Sequence, residues 1–173
     1  MCPLRGQSLR GALQVKASVR RAHDRHPCTT MNRKDLDPLF DEAVKVAQFF
    51  LDKSGEFFPF AVTLSREGKQ THVQGWTGNE QPSSDEVISL LKGGFAQSVA
   101  HGELRATALV VDVRVSRDGH GPKTDAIRVT LEHEDGSAIH CFLPYAKSWL
   151  GKLKYGEVFA SPTEASVFVK RDA

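Results

Sequence analysis

The chain has 173 residues, 40% of them apolar and 25% charged, with seven histidines, three cysteines and a formal charge of +2. This composition excludes a disulfide-stapled mini-protein and a low-complexity chain, and no apolar run reaches the roughly 18 residues of a membrane-crossing helix. The charge is uneven: residues 1–30 hold six Lys/Arg against the single acid Asp24, whereas residues 31–173 hold 17 against 20 and carry −3.

Residues 1–30 are therefore read separately, as a disordered basic tail or a misassigned start, and residues 31–173 as a single domain. Three readings of the first segment compete. It has the Arg-rich, acid-poor look of a mitochondrial transit peptide, though Leu9, Leu13, Val15 and Val19 do not sustain a helical apolar stripe. It could serve as a basic nucleic-acid or membrane arm, but it lacks interleaved aromatics. Alternatively translation begins at Met31, directly before a helix. Cys2 and Cys28 fall in this segment, so the domain holds only Cys141, which fits a reducing, cytoplasmic setting.

The first expected element is a helix from about Pro38 to Lys53, with Asp37 as N-cap, Pro38 in the first turn and Ser54-Gly55 as its end. Leu36, Phe40, Val44, Ala47 and Leu51, flanked by Leu39, Ala43, Val46 and Phe50, form its apolar stripe. Phe60–Leu64 and Thr71–Trp76 then read as a hairpin. A four-residue loop, Arg66 to Lys69, would set Phe60, Val62, Leu64, Thr71 and Val73 on one face.

A second helix opens at Ser83, with Glu86 at capping-box spacing, and closes near Gly102. Gly93-Gly94 weaken its middle, so either it bends there or something packs closely against its backbone. Thr107–Val115 alternates with Leu109, Val111, Val113 and Val115 inward and Asp112 and Arg114 outward. Ala126–His133 follows with Ile127, Val129 and Leu131 inward and Arg128, Thr130 and Glu132 outward. Its partner Ala138–Leu143 is joined through Glu134-Asp135-Gly136. With Gly136 in the left-handed position of a three-residue bulged turn, Ile139, Cys141 and Leu143 face the core and His140 and Phe142 face out. Glu157–Ala160 and Ser166–Lys170 are two further short strands.

The order α-β-β-α-β-β-β, with short C-terminal strands, predicts an α+β fold: a two-layer sandwich with an antiparallel sheet of about five to seven strands and both helices on one face. This order is similar to that of roadblock-type, profilin-like and GAF-type modules. The similarity is one of element order without a shared motif, so it implies no functional residue.

Motifs for chemistry fail their context. Gly119-His120-Gly121-Pro122-Lys123-Thr124 lacks the glycine before lysine and the following helix of a phosphate loop. Ser89-Leu90-Leu91-Lys92 has Ser-x-x-Lys spacing but neither companion motif of that enzyme class. His133, His140 and Cys141 share a hairpin, yet neighbouring strand residues point to opposite faces and cannot jointly hold a metal, and the two imidazoles are expected at the surface. His72 should point outward and His101 sits at a helix end. No histidine has a carboxylate partner at a readable spacing, so no catalytic, cofactor-binding or metal site is assigned.

The outward sheet face is the more informative feature. Asp112, Arg114, Arg128, Thr130, Glu132, His140 and Phe142 mix charge with one large apolar group, and Tyr145, Trp149 and Tyr155 follow in an irregular aromatic segment. The expected function is a non-enzymatic protein-interaction or regulatory module, engaging a protein partner or a second copy through Phe142, Tyr145, Trp149, His140 and Arg128. The alternative is a small-ligand sensor of GAF or profilin-like architecture, with its ligand near Gly93-Gly94. A third is a small enzyme using His120, His133 or His140 as general base. Neither a cofactor nor a membrane is expected as a partner, and the acidic domain disfavours nucleic acid.

Overall fold

The computed structural model describes residues 31–117 and 119–169; the expectations for residues 1–30 and the end of the expected strand Ser166–Lys170 lie outside them. Helix α1 spans Arg33–Ser54 and is followed by β1 (Phe60–Ser65), β2 (Gln70–Gln74), α2 (Ser84–Ala100), β3 (Leu104–Val115), β4 (Thr124–His133), β5 (Ala138–Lys147), β6 (Leu153–Tyr155) and β7 (Phe159–Pro162). The seven strands form one sheet in the order β2-β1-β3-β4-β5-β6, with β7 also paired to β5, and every pairing is antiparallel. The α+β class and the element order are those expected from the sequence. No helix of the described residues is long and apolar enough to cross a membrane.

Helix α1 begins five residues before the expected start, with Asn32 rather than Asp37 at the N-cap and Pro38 inside the helix. Burial explains the difference. Leu36, Leu39, Ala43, Ala47 and Leu51 are all buried along one stripe, and only a helix that already includes Leu36 places it on that stripe. Asp37 instead makes an exposed ion pair with Arg33 at 3.7 Å. Helix α2 follows its sequence signals closely. The Ser83 hydroxyl accepts from the Glu86 N–H at 3.3 Å while the Glu86 carboxylate accepts from the Ser83 N–H at 2.8 Å. At the other end Gly102 adopts φ +71°, and the Gly102 and Glu103 N–H groups bond the carbonyls of Val99 and Ser98. A Cβ at Gly93 or Gly94 would meet nothing within 4 Å, so no element among the described residues packs closely against the helix backbone there.

Three hairpins share one turn. In Arg66-Glu67-Gly68, Glu134-Asp135-Gly136 and Trp149-Leu150-Gly151 the glycine is left-handed, with φ of +85°, +88° and +79°. In each, the residue before the loop donates its N–H across to the residue after it and accepts from the glycine N–H: Ser65 with Lys69, His133 with Ser137, Ser148 with Lys152. Only glycine takes this conformation without steric cost, so the x-x-Gly triplet fixes the register. The expected turn at Gly136 is therefore present, and Ile139, Cys141 and Leu143 lie on the core side with His140 and Phe142 opposite. The four-residue loop expected between β1 and β2 is not. The three-residue turn pairs Leu64 with Gln70, which moves Thr71 and Val73 beside Thr63 and Ala61, on the face opposite Phe60, Val62 and Leu64.

The two helices do not share a face. Helix α1 packs on Phe60, Val62, Leu64, Ala106, Ala108, Val110, Ile127, Val129 and Leu131, whereas Val87, Leu91 and Phe95 of α2 pack on Ala61, Leu109 and Val111. Strands β1 and β3 are thus sandwiched between helices, and residues 106–111 are buried without a break. A strand covered on both sides must be apolar at every position, and alternation then ceases to report which way it faces. Consequently Leu109, Val111 and Val113 point to the α2 side, and Asp112, paired with Ile127, lies on the α1 side of the sheet, away from Arg128. Helix α2 packs chiefly on β1 and β3, so among the described residues no helix covers the same face of β4, β5 and β7.

Candidate functional site

The α2 face of β4 and β5 forms the floor of a cleft of about 310 Å³, walled by Ile88 and Lys92 of α2 and by residues 163–166. Arg128, Thr130, Glu132 and His140 all rise from this floor because they occupy alternate positions of paired strands, with Arg128 opposite Phe142 and Thr130 opposite His140. Of the residues expected at an interaction surface, the structure therefore brings Arg128, His140 and Phe142 together. The Phe142 ring stacks on Phe159 of β7 at 5.0 Å and meets the His140 ring edge-on at 6.1 Å; the Arg117 guanidinium lies over the Phe159 ring at 5.7 Å.

Tyr145 does not join them. Strand alternation turns it to the α1 face, where its hydroxyl donates to the Asp112 carboxylate at 2.8 Å and its ring lies beside Tyr155. Burial and this carboxylate push the Tyr145 hydroxyl well above the ordinary phenol range. Burial also raises Asp112, partly offset by the Tyr145 hydrogen bond. Trp149 stands apart as well, at the tip of the β5–β6 turn and 92% exposed. An anchor cluster of Phe142, Tyr145 and Trp149 is not formed.

The walls of the cleft are held by one carboxylate. Glu132 is only 3% exposed, yet it accepts from the Ser166 N–H at 2.8 Å, the Ser166 hydroxyl at 2.7 Å, the Val167 N–H at 2.7 Å and the Phe168 N–H at 3.4 Å. A buried carboxylate requires such partners, and here they come from backbone that would otherwise pair in a sheet. This accounts for a difference from the sequence expectation: residues 166–169 form an irregular strap rather than a strand, tied down by Glu132 and by buried Phe168. Glu132 and Thr130 are buried rather than solvated, Glu132 because the strap covers it.

Apart from the exposed carboxylate of Glu164 at the rim, the remaining titratable cleft groups are cationic or basic and poorly matched. Neither Arg128 nor Lys92 forms an ion pair among the described residues, and the buried Arg128 Nε has no hydrogen-bond acceptor. Burial lowers the Arg128 guanidinium below its usual range. His140 shares a hydrogen bond with the Thr130 hydroxyl at 2.9 Å through Nδ1, and its pKa is lowered by burial, then by the charges of Arg128 and Lys92. Such a site favours an anion, above all a carboxylate that can take the planar guanidinium fork.

Sequence reasoning missed a second polar group. His133 is 3% exposed rather than at the surface, with Nε2 3.3 Å from Asp35 Oδ2 of α1 and Nδ1 accepting from the Asp135 N–H at 3.1 Å. Asp35 lies 98 residues away in the chain, a spacing no local pattern could reveal, whereas the second carboxylate near the ring, Asp135 at 3.1 Å from Nδ1, is only two residues on. The pair closes the start of α1 against the β4–β5 turn, and Arg105 Nε reaches the same Asp35 oxygen at 3.5 Å. Burial alone would raise Asp135, but hydrogen bonds from the Ser137 side chain and backbone, together with His133, hold it below the ordinary carboxylate range. The three histidines considered as bases stand on separate surfaces: His133 inside, His140 in the cleft on the opposite sheet face, and His120 exposed on the β3–β4 connection. The described residues hold no group of three or more His, Cys, Asp and Glu side chains placed to bind a metal ion.

A groove of about 400 Å³ opens at the end of α1, between the α1–β1 and β2–α2 connections. Phe50, Phe57, Phe58, Phe60 and Trp76 line it together with the carboxylates Glu56 and Glu80, and no Lys, Arg or His among the described residues does. The ligand position expected beside Gly93-Gly94 is a shallower groove on α2, reaching Gly94 and Trp76. No family model matches the chain, and no curated protein or solved structure proved similar to it.

Proposed function

We propose that residues 31–173 form a non-enzymatic interaction module that receives an acidic segment of a protein partner on the α2 face of β4, β5 and β7. The observation that carries this reading is Arg128, a half-buried cation with no carboxylate partner among the described residues and an unsatisfied Nε, beside the equally unpaired Lys92. An unpaired cation in a partly desolvated cleft is costly in the free protein, and an incoming carboxylate relieves that cost. The stacked Phe142 and Phe159 rings supply an apolar platform next to the charge. The net charge of −3 on residues 31–173 favours an acidic peptide, whose charge is local, over a nucleic acid. A reducing compartment such as the cytoplasm suits the lone Cys141.

Titration with a short peptide rich in Glu and Phe, followed by amide shifts in NMR spectra, tests the reading. Saturable shifts should centre on residues 128, 140 and 142. Arg128→Ala and Phe142→Ser should weaken them at least tenfold, and Tyr145→Phe, on the other face, should not. Equal binding by Arg128→Ala would reject the proposal. Light scattering on Phe142→Ser distinguishes a second copy as the partner, since a dimer using this face would dissociate.

The aromatic groove favours a second reading, a small-ligand site. Five aromatic rings with two carboxylates and no cation match an ammonium attached to an apolar body. Benzyltrimethylammonium should then quench Trp76 in Trp149→Phe protein, and Glu80→Gln should weaken the effect.

A further inference from the structure

The turn joining β5 to β6 presents two large apolar side chains to solvent at its outermost positions. Trp149 is 92% and Leu150 64% exposed. This is not a floppy excursion. Ser148 N–H donates to Lys152 O at 2.8 Å and Gly151 N–H to Ser148 O at 2.9 Å, the backbone pair of the other two hairpins, and the Ser148 hydroxyl accepts from the Lys152 N–H at 3.1 Å as Ser65 does from Lys69. The equivalent positions of those hairpins carry Arg66-Glu67 and Glu134-Asp135, the polar residues a solvated turn ordinarily has.

Three lysines flank the tip. Lys147 and Lys154 lie on opposite faces of the hairpin, since Lys147 pairs with Leu153 and Lys154 with Ala146, and Lys152 follows the turn opposite Ser148. None is in an ion pair among the described residues, and no Asp or Glu occurs between residues 136 and 156. An acidic domain thus carries one convex tip that is apolar at its apex and purely cationic around its base.

We propose that this hairpin docks the protein peripherally on an anionic lipid surface. Trp149 and Leu150 would enter the interfacial layer, where an indole ring is favoured, and Lys147, Lys152 and Lys154 would lie at headgroup depth against acidic lipids. The shape selects this partner over a protein pocket: the apolar surface is a two-residue point with cations on both sides, which a deformable bilayer accommodates without a matching cavity. It is independent of the cleft, because Trp149 stands apart from Arg128 and Phe142 at the turn.

The test uses the full chain carrying Trp76→Phe, which leaves Trp149 as its only tryptophan. Vesicles of phosphatidylcholine and phosphatidylserine at 70:30 are compared with pure phosphatidylcholine by co-sedimentation and tryptophan emission. Binding with a blue shift is expected on the anionic vesicles and not on the neutral ones. Each lysine should contribute about fivefold in partition, so Lys147→Glu with Lys152→Glu should reduce it at least 25-fold. Leu150→Ser should weaken binding, and Arg128→Ala should leave it unchanged. The basic residues 1–30 could bind acidic vesicles by themselves. In that case Trp149 emission would stay unshifted and Leu150→Ser would bind as well as the parent, which overturns the proposal, as does equal binding to both vesicle types or to neither.

Discussion

Replacing Glu132 with alanine removes the carboxylate that ties residues 166–168 to β4. Three of its four hydrogen bonds are short, at 2.7–2.8 Å, and the group is 3% exposed. Three hydrogen bonds to a charged acceptor amount to about 5–9 kcal/mol if each counts for about 1.5–3 kcal/mol. The full amount is not lost, because the freed N–H groups can reach water if the strap peels away. What is then forfeited is the docking of the strap, chiefly the burial of Phe168, at 7% exposure, and part of Val167. Burying a phenylalanine is worth about 1.5–3 kcal/mol. The expected loss for Glu132→Ala is therefore about 2–4 kcal/mol in urea unfolding, at or slightly above the burial figure and below the hydrogen-bond sum. Glu132→Gln, which keeps one acceptor oxygen but turns an NH2 toward backbone donors, should fall between the parent and alanine. Amide exchange localises the effect, with Ser166, Val167 and Phe168 losing protection while β1 and β3 retain theirs. A loss below about 1 kcal/mol with unchanged protection at all three amides would refute the role given to Glu132.

The glycines should respond with opposite signs. Gly93→Ala and Gly94→Ala should each stabilise by roughly 0.8–1 kcal/mol in thermal unfolding, as their Cβ atoms would meet nothing within 4 Å. Gly68→Ala should destabilise by about 1–2 kcal/mol because of its φ of +85°, even though the new methyl would touch only the Arg105 guanidinium; shifts of the same sign would contradict the shared-turn argument. Burial, reinforced by the charge of Asp37, raises Cys141 from 9.0 to about 11. At pH 8 its thiolate fraction then falls from about one tenth to about one thousandth, and in Cys2→Ser/Cys28→Ser protein alkylation by iodoacetamide should be about 100-fold slower than for an exposed thiol. The lowered pKa of His140 means that the unfolded chain binds this proton first as pH falls below 6.5. Stability should accordingly be full above that pH and decline as pH drops toward the folded-state pKa, a decline that His140→Gln flattens. Identical pH dependence of the urea midpoint in the two proteins would exclude the effect.

Much of the local structure could be read without coordinates. Ser83 and Glu86 announce the start of α2 because both cap bonds lie within one turn, and Gly136 announces the β4–β5 register because its left-handed conformation is set by neighbours in sequence. The same logic would have found Gly68 and Gly151, since x-x-Gly between strands carries the same information at all three hairpins. Arg128, His140 and Phe142 could be grouped because a short turn fixes which residues of two strands share a face. The same alternation, carried three residues beyond Phe142 along β5, turns Tyr145 to the opposite face.

What the sequence determined by itself is therefore governed by short-range geometry: the α+β class, the antiparallel hairpins, the capping box of α2 and the polar side of β4 and β5. Only the tertiary structure decided which helix covers which face. Strand β3 is apolar on both sides, and the connection from Val115 to Thr124 is too long to impose a register, so its pattern is compatible with either orientation. The same holds for the pairing of His133 with Asp35 and of Glu132 with the strap. Both join residues tens of positions apart, and their partners are chosen by packing of the whole sheet rather than by any spacing along the chain.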